Sequence, residues 1–374
     1  MLEIERQLHT IASRYLGSRR VLVLLGPRGA GKSHLLRLWA DEREYEALFL
    51  NGEDLRVQEL LDPANSGRFM TMLGSSRFFI LDEARKIPDI TETVLRLLDD
   101  AEAVKIILAA SSSDAFGDDP DDPLRGQKYT FHLFPLAEKE LPPGDQSAPL
   151  MERLIYGCYP ALFSLTGPKE KEDYLRSVVN DCIYKDIPAA EGIRVSEKIG
   201  RLMLLLAERA GNELSMNELG KELSISKNTA EKYLEVLSRL FIIHPVAPYA
   251  EAGKRHLAGQ RRWYFLDNGL RNSLLNNFSA ADKRDDIYIL WENYLISQRL
   301  KQQRNQRRAV TNYFLRTYDG LSIPWLEDSG GKLTGYKFTL RSAKKKSPAA
   351  WHKALPQASF RVITPSNYKE WLVE

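Results

Sequence analysis

The chain has 374 residues, 43% hydrophobic and 28% charged, which describes a soluble globular protein too long for one ordinary core. Its 53 basic and 50 acidic residues leave a formal net charge of +3, too small to imply nucleic-acid binding by itself. Two cysteines, Cys158 and Cys182, with no CxxC or Cys/His cluster, argue against a disulfide scaffold and a zinc site.

The N-terminal stretch MLEIERQLHTIASRYL has early acids and amphipathic spacing instead of a basic start and an apolar centre. No secretory signal is therefore expected, and the cytoplasm is the default location. No apolar run approaches membrane-spanning length; Leu202 to Ala207 is among the longest and reads as core helix, so no membrane partner is expected.

The apolar run Val21 to Leu25 leads directly into Gly26 to Ser33, GPRGAGKS. This is G-x-x-x-x-G-K-[ST], the phosphate-binding loop, with a buried strand before it and a helix, His34 to Ala40, after it. The glycines Gly26, Gly29 and Gly31 let the backbone turn tightly and aim N–H groups at phosphate oxygens. With Pro27, Arg28, Ala30 and His34 they complete the expected nucleotide-lining segment. Lys32 is placed to reach the β- and γ-phosphates and Ser33 to hold Mg²⁺, while the positive end of the following helix faces the anion.

A second strand, Arg77 to Leu81, runs into Asp82-Glu83, the arrangement of a Walker B segment. Asp82 is the expected second Mg²⁺ holder. Glu83 is the expected general base that polarises the attacking water. A third strand, Val104 to Ala110, ends in Ser111-Ser112-Ser113, where a polar side chain beside Walker B can sense the γ-phosphate; Ser111 is the candidate. Ala47 to Asn51 and the helical stretch Glu92 to Asp100 complete an alternation that predicts a parallel sheet covered on both faces. Asp114 to Arg125 reads as an acidic surface loop, Tyr129 to Leu136 as a further strand, and Pro135 and Pro142-Pro143 as the end of the domain.

Leu150 to Ile187 reads as helices punctuated by Tyr159-Pro160. Ile199 to Ala210, Met216 to Leu223 and Lys227 to Leu240 read as three helices, with Ser215 and Glu218 as a capping box. Two extended segments, Phe241 to Pro245 and Arg262 to Leu266, complete a winged helix-turn-helix pattern. Its candidate duplex-DNA contacts are Lys227, Asn228, Thr229 and Lys232 on the third helix. Lys254, Arg255, His256, Arg261 and Arg262 in the wing are candidate phosphate contacts. Glu231 and Glu235 share the third helix and offset its charge, so the alternative is a scaffold module.

In this order the residues resemble the prokaryotic AAA-type (AAA+/STAND-like) P-loop ATPases that carry a winged helix and a C-terminal PD-(D/E)XK nuclease-like domain. The carriers are GPRGAGKS, Phe78 to Asp89, Leu133 to Leu141, Leu223 to Leu237, Tyr264 to Leu275 (YFLDNGLRNSLL) and Trp291 to Leu300 (WENYLISQRL). The last two are specific, because nucleotide binding does not demand them. The resemblance implies an α/β fold: a P-loop ATPase domain over 1–145, a helical connector over 146–196, a winged helix over 197–275 and a small α+β nuclease-like domain over 276–374. It also implies ATP and Mg²⁺ as ligands, with a protein partner on the C-terminal domain and a homo-oligomer as further candidates.

Several departures from the family pattern shape the expectation. In the nuclease-like domain Glu292 keeps the first acidic position, but the E-x-D strand falls on Ser322-Ile323-Pro324 and the E-x-K strand on Lys337-Phe338-Thr339. Metal-assisted cleavage needs those carboxylates and that lysine, so an inactive nuclease domain is expected, with Glu327-Asp328 as a fallback pair. The basic run Arg341 to Lys346 reads as a solvated strand end. In the ATPase domain Gly126 is followed by Gln127, flanked by Arg125 and Lys128, where the family shows Gly-Arg. The turn Tyr156-Gly157-Cys158-Tyr159-Pro160-Ala161 lacks a family glutamate. Slow turnover, and a nucleotide-controlled switch, are the expectation; the alternative is an ATP-regulated DNA-binding protein.

Overall fold

A computed structural model describes residues 4–42, 46–100, 103–114, 116–117, 122–142, 149–189, 197–249, 260–317, 320–341 and 347–374. The chain forms two compact units, Glu3–Pro135 and Leu136–Glu374. Among the described residues no helix is long and apolar enough to cross a membrane.

The first unit runs α1 (Gln7–Ser13), β1 (Val21–Leu25), α2 (Lys32–Asp41), β2 (Ala47–Asn51), α3 (Leu55–Leu60), α4 (Ser66–Leu73), β3 (Phe78–Asp82), α5 (Ile90–Asp100), β4 (Lys105–Ala110) and β5 (Lys128–His132). The strands form one parallel sheet in the order β2-β3-β4-β1-β5. Strands β1 and β4 are buried along their whole length and, apart from Lys105 at the start of β4, apolar, as expected of parallel strands covered on both faces. Leu35, Leu36 and Trp39 of α2 pack with Leu22, Leu24 and Ile107 in one core. The last strand ends at His132, short of the expected Leu136. Leu133 N–H makes the last bond of that pairing, to Leu25 O at 2.7 Å, and Leu133 O then lies against Gly26 of the phosphate loop.

This topology places the site. With β4 inserted between β1 and β3, the carboxyl ends of three neighbouring strands present the phosphate loop, Ser111 and Asp82-Glu83 along one edge. That edge is where open α/β sheets bind ligands.

The second unit runs α6 (Leu150–Tyr156), α7 (Pro168–Asp181), α8 (Ile187–Ala189), α9 (Glu197–Glu208), β6 (Glu213–Leu214), α10 (Met216–Leu223), α11 (Lys227–Arg239), β7 (Ile243–Pro248), β8 (Arg261–Phe265), α12 (Asn268–Leu274), α13 (Ile287–Asn305), β9 (Thr311–Arg316), β10 (Ser322–Ser329), β11 (Lys332–Phe338), α14 (Ala349–Ala354), β12 (Ser359–Ile363) and α15 (Tyr368–Val373). Ser215 caps α10 and Ser226 caps α11 through their hydroxyls, with Ser224 in the left-handed region (φ 53°) at the turn between them. Strands β6 and β7 both pair antiparallel with β8. The sequence reading divides 146–374 into three segments, whereas one sheet, β12-β11-β10-β9-β7-β8-β6, runs across the last two. The join is a short parallel pairing of β7 with β9, Ala247 against Tyr313 and Pro248 against Phe314.

The motifs YFLDNGLRNSLL and WENYLISQRL prove to be buried polar scaffolding. A helix leaves its last carbonyls without partners. Asn272 Nδ2 donates to Leu154 O at 3.2 Å and Ile155 O at 2.7 Å, and Asn268 Nδ2 donates to Leu154 O at 3.1 Å, so α12 closes the end of α6. Asp267 accepts from the Cys158 and Gly269 N–H groups, both at 2.8 Å. The turn at Gly157 (φ 79°) lies so close that a side-chain carbon there would stand 1.8 Å from Asp267 Oδ1. Asn293 of α13 bonds both the N–H and the carbonyl of Phe265.

His244 on β7 is held at about pKa 4, first by burial and then by the charge of Arg304. A histidine whose folded pKa lies below its unfolded value near 6.5 contributes stability that is present above that value and lost as pH falls towards 4. Replacing it by glutamine is expected to remove about 2 kcal/mol of the stability lost between pH 7 and pH 5, read as a flatter unfolding profile for His244→Gln. An unchanged profile would show that His244 is not the group titrating.

Candidate functional site

The phosphate loop is shaped by close backbone approach. A side-chain carbon at Gly26 would stand 1.9 Å from Leu133 O, so only glycine fits. Gly29 and Gly31 take φ of 77° and 100°, in the left-handed region that glycine enters freely. Gly31 is the N-cap of α2, and among the described residues no side chain caps that helix. The first N–H groups of α2 are thus left for an anion. Lys32 is buried, and its ammonium donates to Gly26 O (2.9 Å), Pro27 O (3.1 Å) and Ser111 Oγ (2.9 Å). Ser33 and His34 are exposed at the helix start. Arg28 reaches Glu53 at 3.3 Å, and Ala30 is fully buried.

The acids converge on the same place. Ser33 Oγ donates to Asp82 Oδ2 at 2.5 Å, and Ser111 Oγ donates to Glu83 Oε1 at 2.5 Å. The Ser111 hydroxyl therefore accepts from Lys32 and donates to Glu83, a chain of three buried groups at the start of α2 and the ends of β4 and β3. Glu83 itself has φ 48° and ψ 42°, an uncommon left-handed conformation for a side chain of this type. Its peptide is held from the neighbouring strand end, where Gly52 N–H donates to Asp82 O at 2.9 Å. A side-chain carbon at Gly52 would meet Glu83 O at 2.5 Å.

A magnesium nucleotide fits these groups. Glu83 Oε2 is buried with no hydrogen-bond partner among the described residues, a cost that a ligand or water relieves. Ser33 and Asp82 are in direct contact and would hold Mg²⁺, a hard cation that takes oxygen ligands. Arg6, which no motif flagged, is the addition: its guanidinium is buried and donates to Ala30 O at 2.7 Å and Phe134 O at 2.6 Å. A lone arginine before an amphipathic helix carries no sequence signal of that role. Lys128, one candidate near the missing family arginine, is tied into its own loop by Phe116 O, Gly117 O and Asp122.

The DNA-contact candidates separate. Arg262 does not serve as a phosphate contact: it is 8% exposed, and its guanidinium bonds Glu213 and Ser322, each at 3.0 Å, and lies 4.3 Å over the Phe314 ring. The register of β8 turns Arg262 inward and leaves Arg261 exposed. Lys227 pairs with Glu231 on the exposed face of α11, where Asn228 and Lys232 also lie. Thr229 donates its N–H to the Ser226 hydroxyl. Lys254, Arg255 and His256 lie outside the described residues, as do residues 342–346 of the basic run and residues 115 and 118–121 of the acidic loop.

The nuclease-like positions are likewise committed to the fold. Glu292 accepts from Tyr264 OH at 3.0 Å, and burial holds its carboxyl above the usual range. The fallback acid Glu327 is 5% exposed and takes a two-pronged contact from Arg299 (2.7 and 2.8 Å), with further bonds from Gln303, Trp325 and Tyr336. Its neighbour Asp328 caps the turn by accepting from Gly331 N–H. Ser322 faces Arg262, and Lys337 is exposed. Among the described residues no three His, Cys, Asp or Glu side chains are grouped to hold a metal ion.

The strand order, loop and acids of the first unit are those of a P-loop NTPase domain. Residues 18–141 match the family model described as an AAA domain, which supports an AAA-type ATPase there, and residues 148–281 match a domain of unknown function. An uncharacterised protein of Mycobacterium tuberculosis is 27% identical over 293 residues, covering 76% of this chain and 63% of its own length. The chain thus spans less than two thirds of that relative. An uncharacterised protein of Haemophilus influenzae is 23% identical over 295 residues, 72% of this chain and 73% of its own. Among solved structures, the RuvB Holliday junction branch migration motor of Thermotoga maritima overlaps 69% of this chain and 92% of its own at 16% identity and TM-score 0.37. AMPPCP-bound DnaA from Aquifex aeolicus overlaps 62% and 86% at 14% identity and TM-score 0.30.

Breaking a buried ion pair by removing one partner costs about 3–5 kcal/mol, because the other charge is left uncompensated. Glu327→Ala is therefore expected to destabilise the second unit by about that amount in urea unfolding, against a change within about 0.5 kcal/mol for exposed Lys337→Ala. Equal effects would contradict the structural role given to Glu327.

Proposed function

We propose that the first unit binds ATP with Mg²⁺ and hydrolyses it to ADP and phosphate, making the protein a cytoplasmic, nucleotide-controlled switch. The observation that carries this reading is the Ser111 hydroxyl bonded at once to Lys32 and Glu83. The loop N–H groups and Lys32 hold the phosphate chain, and Lys32 offsets charge that grows on the γ-phosphoryl oxygens. Ser33 and Asp82 would hold Mg²⁺, which would supply neutralisation of the phosphate charge. Glu83 accepts a proton from the attacking water. Ser111 stands where it can pass the presence of the γ-phosphate from Lys32 to Glu83.

For the remainder, the order α9–β6–α10–α11–β7–β8 supports a winged helix, and its buried Arg262 supports the scaffold reading over groove binding. The region 276–374 is read as nuclease-like in fold and inactive, since Glu292 and Glu327 are taken by Tyr264 and Arg299. Protein partners there and a homo-oligomer remain proposals of the resemblance.

The roles separate in phosphate-release and nucleotide-binding assays. Lys32→Ala is expected to abolish ATP binding. Glu83→Gln should keep binding and lose hydrolysis by about 10²–10⁴-fold, and Ser111→Ala should bind within a few-fold of the parent yet hydrolyse about 10–100-fold more slowly. Hydrolysis by Glu83→Gln at the parent rate would remove the general-base assignment.

A further inference from the structure

Arg6 lies far from every motif, yet its side chain is buried against the phosphate loop. It stands at the N-cap of α1, and its two Nη atoms donate to Ala30 O at 2.7 Å and Phe134 O at 2.6 Å. Both acceptors belong to the walls of the site. Ala30 is inside the loop, and Phe134 follows Leu133, whose carbonyl makes glycine obligatory at position 26. A side-chain carbon at Gly31 would stand 3.3 Å from Arg6 Nη1.

The Ala30 carbonyl precedes the N-cap, so helix α2 supplies it no N–H, and a buried carbonyl needs a donor. In a trans peptide the carbonyl and the following N–H point in opposite directions. Holding Ala30 O on the guanidinium therefore turns the Gly31 N–H to the other side of the loop. Glycine at 31 makes that orientation optional, because it tolerates both signs of φ. With the peptide turned over, Ala30 O would take the place of the Gly31 N–H and oppose a phosphate.

We propose that Arg6 is a positioning residue for nucleotide binding: it locks the Ala30–Gly31 peptide so that the loop presents a donor to phosphate. The proposal rests on the reading of this loop as an ATP site, and it deepens that reading by adding a residue from outside the motif. The loss on removing Arg6 falls on ground-state binding of both ATP and ADP, which share the phosphate next to the loop. The chemical step, set by Glu83 and Ser111, is left nearly unchanged.

The test measures ATP and ADP affinity by calorimetry, steady-state hydrolysis and nucleotide-free unfolding for the full-length parent, Arg6→Ala, Arg6→Lys and Lys32→Ala. Expected for Arg6→Ala is a Kd raised about tenfold for both nucleotides and a KM raised in step, with kcat within about twofold. Arg6→Lys, whose single ammonium still reaches Ala30 O, should bind within about threefold of the parent. A purely structural role would lower the unfolding midpoint and leave Kd unchanged. If Arg6→Ala binds both nucleotides within twofold of the parent while Lys32→Ala binds neither, the Arg6 proposal is overturned and the ATP site stands. If the parent binds neither nucleotide, both readings fall. Should Arg6→Ala fail to fold, Arg6→Gln is judged instead: a Kd raised threefold or more supports the proposal, and a smaller change overturns it.

Discussion

The site depends on one hydroxyl. Ser111 sits at the end of the strand that separates the phosphate-loop strand from the Walker B strand, and it bonds Lys32 on one side and Glu83 on the other. A hydrogen bond to a charged group is stronger than a neutral one, and a buried charge without one is costly. Here a single neutral group serves a buried ammonium and a buried carboxylate together. The sheet order makes this possible: had the loop strand paired directly with the Walker B strand, no third strand end would lie between them.

Around that contact the loop is set by exclusion. Leu133 O leaves no room for a side chain at position 26, Gly52 lets the next strand end touch Glu83 O, and Arg6 holds the carbonyl of Ala30. Each of these forces a backbone group to face one way, which is how a loop without regular structure is pre-organised for an anion. The second unit uses its polar groups differently. Asp267, Asn268, Asn272 and Asn293 close helix and strand ends, and Glu327 and Arg299 neutralise each other. Buried polar residues there hold the fold in one register, and the carboxylates that a metal-dependent nuclease needs are already occupied.

Much of the first unit was legible because its signals are local. An apolar strand, a glycine loop and a Lys-Ser pair lie within thirteen residues, and Asp82-Glu83 follows an apolar run. Ala47–Asn51 and Met216–Leu223 match the predicted bounds, since in each the hydrophobic period and the flanking turn residues agree. What escaped was non-local. Arg6 and Phe134 are 128 residues apart, and nothing near either predicts their bond. Arg262 reads as half of a basic wing, because sequence shows charge and hides burial; the pairing of β6 with β8 sets it directly against Glu213 inside the fold. The pairing of β7 with β9 joins elements more than sixty residues apart, and no local pattern signals it.

The central claim is that the first unit is a magnesium–nucleotide site built on the Lys32–Ser111–Glu83 contact. Its most direct test is calorimetric titration of ATP into the full chain, with and without Mg²⁺. The account predicts saturable binding of one ATP per chain, tighter when Mg²⁺ is present. No measurable binding of ATP at millimolar concentration, with Mg²⁺ present and the protein folded, would contradict it.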